Sequence, residues 1–147
     1  MPLPAPKLGL VVQYGFVWSG AGRRPPPDAG KDRPCLIADL EAIEEPALNG
    51  RIVLRVTYLP ISHVAPRTGE SAIALPPRVA QHLGLTAQRS FLYTSYVVED
   101  DWPFDLAHRP DSDDRFDYGF IPPRLFDAVA RDFRPWLAVN PMGAYRP

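Results

Sequence analysis

The chain has 147 residues with 16 basic and 17 acidic side chains, a net charge of -1; this is one domain's length, with no bulk charge directing it to nucleic acid or an anionic membrane. With 46% apolar and 11% aromatic residues a disordered chain is excluded, although proline, at 19 residues or about 13%, stands far above the usual roughly 5%. The single cysteine, Cys35, rules out an internal disulfide and a thiolate metal site; the prolines at 2, 4 and 6 and the lack of any apolar run near 18 residues argue against a signal peptide or a membrane span, so a cytoplasmic protein is expected.

From Leu8 to Trp18 the apolar residues Leu8, Leu10, Val12, Tyr14, Phe16 and Trp18 recur with period two, which predicts a strand. Ser19 to Lys31 reads as a loop: Pro25, Pro26 and Pro27 follow Gly20-Ala21-Gly22 where a helix would have to start, so the glycines are no phosphate loop. Pro34 to Ala38 is a short buried-strand run, and Arg51 to Leu59, launched by the turn pair Asn49-Gly50, alternates as a second strand. Ser71 to Leu75 and Ser90 to Val98 predict two more strands. Between them Pro76-Pro77-Arg78 opens a short helix that carries Val79 and Leu83 and stops at Gly84. Pro122-Pro123 start a last helix whose stripe is Leu125, Phe126, Val129 and Phe133; Pro135 is expected to end it and leave a loose tail over 137–147. Strands that do not alternate with long helices describe a mainly β, antiparallel small barrel, with one domain spanning 1–147.

The neutral total hides a division. Residues 99–117 hold eight acidic residues against Arg109 and Arg115, net -6, leaving the other 128 residues at +5. Fourteen of the sixteen basic residues are arginine, the side chain that grips phosphate bidentately. No metal site is expected, because His63, His82 and His108 show no ligand spacing. Asp111 to Asp114 opens like a calcium loop but has Phe116 at the glycine position and Pro122 at the bidentate acid. Cys35, inside an apolar run, reads as an inert small hydrophobe rather than a nucleophile. Tyr14, Trp18, Tyr93 and Tyr96 are of the type that stacks on unpaired bases, though at strand positions such residues usually belong to a core.

Two segments carry most of the chemistry: Lys31-Asp32-Arg33-Pro34-Cys35-Leu36-Ile37 and Tyr58-Leu59-Pro60-Ile61-Ser62-His63. If their strands are antiparallel neighbours, Arg33 and Ser62 meet at one end of the sheet, where a guanidinium and a hydroxyl can hold a phosphate and stabilise charge developing on it. Ser62 has a plainer use as well, since serine often closes its own turn.

Arg-Pro before a short apolar strand, a second strand ending in Pro-Ile-Ser, then a short helix and a further strand resembles the PemK/MazF family of toxins. The opening Gly9-Leu10-Val11-Val12 and the closing Tyr118-Gly119-Phe120-Ile121-Pro122-Pro123 are similar to its longer PemK-like members, so the likeness runs from about Gly9 to Phe133. It implies an SH3-like barrel of the CcdB/MazF/PemK kind, a homodimer, a cognate antitoxin protein as partner, and cleavage of single-stranded RNA without metal or other cofactor, by attack of the ribose 2′-OH on the adjacent phosphate. By motif position Arg33 and Ser62 would be catalytic. Arg23, Arg24, Lys31 and Arg67 would hold the RNA.

One departure is informative. Valine, Val98, stands where several members have a second arginine; Asp101 could still supply a carboxylate, and His63, of a type suited to moving protons at neutral pH, could serve as acid or base. The same departure keeps open a catalytically degenerate binding module on the same barrel. A gyrase poison of the CcdB type is set aside, because the chain ends Ala144-Tyr145-Arg146-Pro147 in place of Trp-Gly-Ile.

Overall fold

In the computed structural model, residues 3–15, 32–85, 89–112, 114–140 and 144–145 are described. Eight strands and two helices follow in the order β1 (Leu10–Gly15), β2 (Asp32–Glu45), β3 (Arg51–Ser62), β4 (Ala72–Ala74), α1 (Pro77–His82), β5 (Phe91–Tyr93), β6 (Val97–Asp101), β7 (Asp117–Phe120), α2 (Pro123–Val139) and β8 (Ala144–Tyr145). The main path through the sheet is β4-β5-β3-β2-β1-β7, with β6 also on β3 and the two-residue β8 parallel to β6. Every other pairing is antiparallel. The expected mainly β class with an internal and a C-terminal helix is what is found, but β4 and β7 do not pair, so the described strands do not close into a barrel.

The β2–β3 hairpin is the spine, in register from Cys35 opposite Pro60 to Glu45 opposite Arg51, with a bulge between Ile37 and Asp39. Its turn is a single 3-10 turn, Pro46–Leu48, followed by Asn49 and Gly50 at φ +57° and +76°. Asparagine and glycine are the residues that tolerate that left-handed backbone, so the pair sets the hairpin register as expected. The hairpin is longer than the sequence suggests: β2 runs seven residues past Ala38 into Asp39–Glu45, an exposed acidic arm held by its ladder to β3 rather than by a core.

Both faces of the central strands are buried, which is why Cys35-Leu36-Ile37 reads as a continuous apolar run. Alternation sends Leu36 and Ala38 to one face and Cys35 and Ile37 to the other. The first face is covered by both helices through Val79 and Leu83 of α1 and Val129, Ala130 and Phe133 of α2. The second holds an aromatic cluster in which Tyr14 stacks on Tyr58 at 4.0 Å and the Tyr14 hydroxyl donates to Asp100 at 2.6 Å.

Three expectations need correcting. The single strand over Ser90 to Val98 is two, because the Ser95 hydroxyl accepts the Ser71 N–H at 2.9 Å and Thr94 Oγ1 bonds Ser71 Oγ at 2.9 Å. These side-chain bonds hold the chain out of the ladder; β5 therefore meets the end of β3 and β6 meets its middle. Helix α2 continues through Pro135 to Val139, since Trp136 extends the apolar stripe onto the core and Arg131, whose carbonyl loses its helical partner, lies on the solvent side. Part of the tail expected to be loose is thus helical, and Ala144–Tyr145 pairs with β6. Finally, residues 117–120, the last of the acidic stretch and the start of the closing Tyr118-Gly119-Phe120 motif, for which no strand is predicted, form β7 against β1.

Candidate functional site

The hairpin register, continued two residues beyond Cys35 and Pro60, sets Arg33 opposite Ser62, as the antiparallel reading requires. Both are 5% exposed, and both line one cavity of about 390 Å³ at that end of the sheet, a volume within the roughly 300–1,000 Å³ of small-ligand sites. Asp32 and Pro34 beside Arg33, Ile61 and His63 beside Ser62, and Leu85 and Ser90 from the segment after α1 complete the wall. Three of the four expected catalytic residues, Arg33, Ser62 and His63, are therefore brought together.

The proline at 60 does not interrupt β3, which runs on to Ser62. There the chain turns: Ser62 Oγ accepts the Val64 N–H at 3.2 Å, so its turn-closing use is also realised. The turn is tied down further by Tyr93, whose hydroxyl donates to the Val64 carbonyl. Burial, followed by the Glu70 charge, pushes the Tyr93 phenol up to about 12, which keeps it a donor. His63 is exposed at the rim. A guanidinium already withdrawn from bulk water, as Arg33 is, acts on an anion through a lower effective dielectric than a surface arginine does.

Asp101 is not part of this constellation. It lies on β6 opposite Arg55, to which its carboxylate is bonded at 2.8 Å, and Arg55 is seven residues back along β3 from Ser62, roughly 23 Å of extended chain. The sequence predicts a strand that ends at Val98 with Asp101 just beyond it, and does not say which stretch of β3 this part of the chain meets. Val98, the departure from the family pattern, is buried opposite Tyr58 in the aromatic cluster.

Among the basic candidates, Arg67 has its guanidinium bonded to both Glu70 oxygens, Nε at 3.1 Å and Nη2 at 2.6 Å. Burial pushes the Glu70 carboxyl up, but hydrogen bonds from Arg67 and Tyr96 and the Arg67 charge outweigh it and hold the group down at about 2. The Arg67 charge is thus answered within the protein and does not line the cavity. Arg23, Arg24 and Lys31, like Trp18, lie outside the described residues. Cys35 is fully buried, and that burial pushes its thiol up against the lowering effect of Arg33, so no thiolate is available. Tyr14, Tyr93 and Tyr96 are core residues.

The acidic segment keeps away from the site: no described residue of 99–117 lines the cavity. It runs beside the outer edge of β1, where Gly15 N–H donates to the Asp105 carbonyl at 2.8 Å and Ala107 N–H to the Gln13 carbonyl at 2.9 Å. Its carboxylates are engaged locally, Asp111 with Arg109 at 2.7 Å and Asp100 with Tyr14.

Ser90 escaped the sequence reading. It looked like the first residue of a strand, and only the register Ser62 opposite Phe91 shows that it lands beside the site. Among the described residues no group of three or more His, Cys, Asp or Glu lies close enough to share a metal ion, and no helix is long and apolar enough to cross a membrane. Comparison with protein-family models, curated proteins and solved structures gives no match to this chain.

Proposed function

We propose that the protein is a PemK/MazF-like endoribonuclease, the toxin of a toxin-antitoxin pair, cutting single-stranded RNA at the Arg33–Ser62 cavity. The observation that carries this reading is the convergence of Arg33, Ser62 and His63, three residues from two distant segments, in one concave site at the end of an antiparallel pair. In the reaction the ribose 2′-oxygen bonds to the neighbouring phosphorus and gives up its proton, the bond from phosphorus to the 5′-oxygen breaks, and that oxygen leaves with a proton as a free 5′-hydroxyl, with a cyclic phosphate on the other product. Arg33 neutralises the charge that builds on the phosphorane, Ser62 fixes a phosphate oxygen, and His63 moves protons. On the same reading the open sheet is a variant of the SH3-like barrel, the functional unit is a homodimer, and an acidic antitoxin segment occupies the site in the resting complex.

The test is primer extension on a single-stranded RNA, together with growth on induction. Wild-type protein should cut and arrest growth, and Arg33→Ala should do neither. A folded wild-type protein that leaves every RNA intact removes this reading.

A second reading, a binding module without catalysis, is favoured by one observation: neither a second cation nor Asp101 joins the site from β6. RNA retained by wild-type protein, lost in Arg33→Ala, and never cut would select it.

A further inference from the structure

The cavity at Arg33 has a neighbour. A second cavity of about 410 Å³, walled by Ala74 and Leu75, by Pro77, Ala80 and Gln81 at α1, and by Arg89, shares Leu85 and Ser90 with the first. The two are neighbouring hollows, each with Leu85 and Ser90 in its wall. Ser90 is 3% exposed, and its hydroxyl makes no hydrogen bond with any described residue. A buried hydroxyl left unmatched forfeits its hydration without return, so such groups are rare unless something else supplies the partner. Its backbone is well fixed: the Ser90 carbonyl accepts the Leu75 N–H at 2.8 Å, and the next residue, Phe91, pairs with Ser62. The hydroxyl is therefore held still next to the candidate catalytic residues with its hydrogen-bonding capacity unspent. Beyond it Arg89 is exposed, its guanidinium 5.2 Å from the centre of the Phe91 ring, and supplies a positive charge to the second hollow.

We propose that these two hollows act as adjoining subsites with Ser90 as a substrate-positioning residue between them, so that the strand of RNA is held at consecutive nucleotides: one phosphate at Arg33 and Ser62, the sugar-phosphate link at the Ser90 hydroxyl, and the next nucleotide against Gln81 and Arg89. The inference rests on the RNA-cleavage reading and adds that substrate length matters, because a dinucleotide fills only the first hollow.

Binding of fluorescently labelled 2′-O-methyl oligoribonucleotides, two and six nucleotides long, tests it by anisotropy, since the methyl group blocks cleavage. Wild-type protein should bind the hexamer at least about tenfold more tightly than the dimer. Ser90→Ala and Arg89→Ala should each lose most of that gain, Arg89→Ala with the dimer affinity kept because Arg89 lines the second cavity and not the first, whereas Arg33→Ala loses both. Thermal melting supplies a second readout: with no partner to forfeit, Ser90→Ala should melt at or above the wild-type temperature, while a purely structural hydroxyl would make it melt lower. Hexamer binding by wild-type protein that Ser90→Ala and Arg89→Ala leave unchanged overturns the inference and spares the proposed function. Failure of folded wild-type protein to bind either oligonucleotide overturns both.

Discussion

The two ends of the β2–β3 hairpin are built from similar residues and do opposite things. At one end Arg33 sits 5% exposed in the wall of a cavity with two serines and a histidine beside it. At the other, Arg55 bridges Glu45 at 3.3 Å and Asp101 at 2.8 Å on an arm whose neighbours Ile52 and Leu54 face solvent. An arginine near carboxylates on a strand is thus not a site by itself. What separates the two is concavity: Arg33 lines a cavity, whereas Arg55 lies flat against two carboxylates. Arg67 is the intermediate case: close in sequence to Ser62, yet gripped by both oxygens of Glu70.

The contrast can be broken experimentally. Its largest consequence is catalytic: Arg33→Ala should lower the rate of RNA cleavage by about 10² to 10³, the usual loss when a preorganised group facing developing charge is removed. Comparable rates in wild-type and variant protein would erase the distinction between the two ends. Ser62→Ala should lose about tenfold in the same assay, since one hydrogen bond to phosphate disappears, and some stability with it as the Val64 N–H loses its acceptor.

Glu70→Gln tests the intermediate case by pH. The Glu70 carboxyl is held below its unfolded value, so its contribution is complete above about 4.5 and is lost as pH falls toward about 2. At pH 7 the variant should melt about 2 to 4 °C below wild type, and the gap should close between pH 4.5 and 2. A gap that persists at pH 2 would show that the ion pair is not its source. Smallest of all, Arg55→Ala and Asp101→Asn should leave cleavage unchanged and reduce stability by at most about 1 kcal/mol, as partly exposed ion pairs do. A catalytic defect in Asp101→Asn would bring the far end of the hairpin into the reaction after all.

Much of the site is legible in the chain because strand periodicity and one turn pair suffice to oppose Arg33 and Ser62. Asn49-Gly50 fixes the hairpin, and antiparallel pairing does the rest. The misplacement of Asp101 has a physical origin in Thr94 and Ser95, whose hydroxyls take up the Ser71 hydroxyl and the Ser71 N–H respectively and split one apparent strand into two that meet β3 at different heights. Local composition does not report such competition. Likewise Asp39–Glu45 looks like loop because its strand is stabilised by the partner's ladder and not by apolar alternation, and Pro135 looks like a helix end because the pull of Trp136 onto the core is a tertiary effect. Ser90 was invisible for the same kind of reason, since what marks it is the hydroxyl's isolation inside the fold.

The path of the acidic segment also covers an edge of the sheet. Strand β1 would present a bare row of N–H and C=O groups beyond its pairing with β7, and the peptide units of Asp105, Ala107 and Phe116 take up that row at Gly15 and Gln13. The strands left outermost, β4, β7 and β8, are only three, four and two residues long. A negatively charged ribbon that completes the hydrogen bonding of a long strand removes a template for chain-to-chain pairing and adds charge repulsion where another copy would dock. The segment that carries the chain's negative charge thus doubles as a cover for a sheet edge, leaving that stretch of β1 no open row for edge-to-edge pairing.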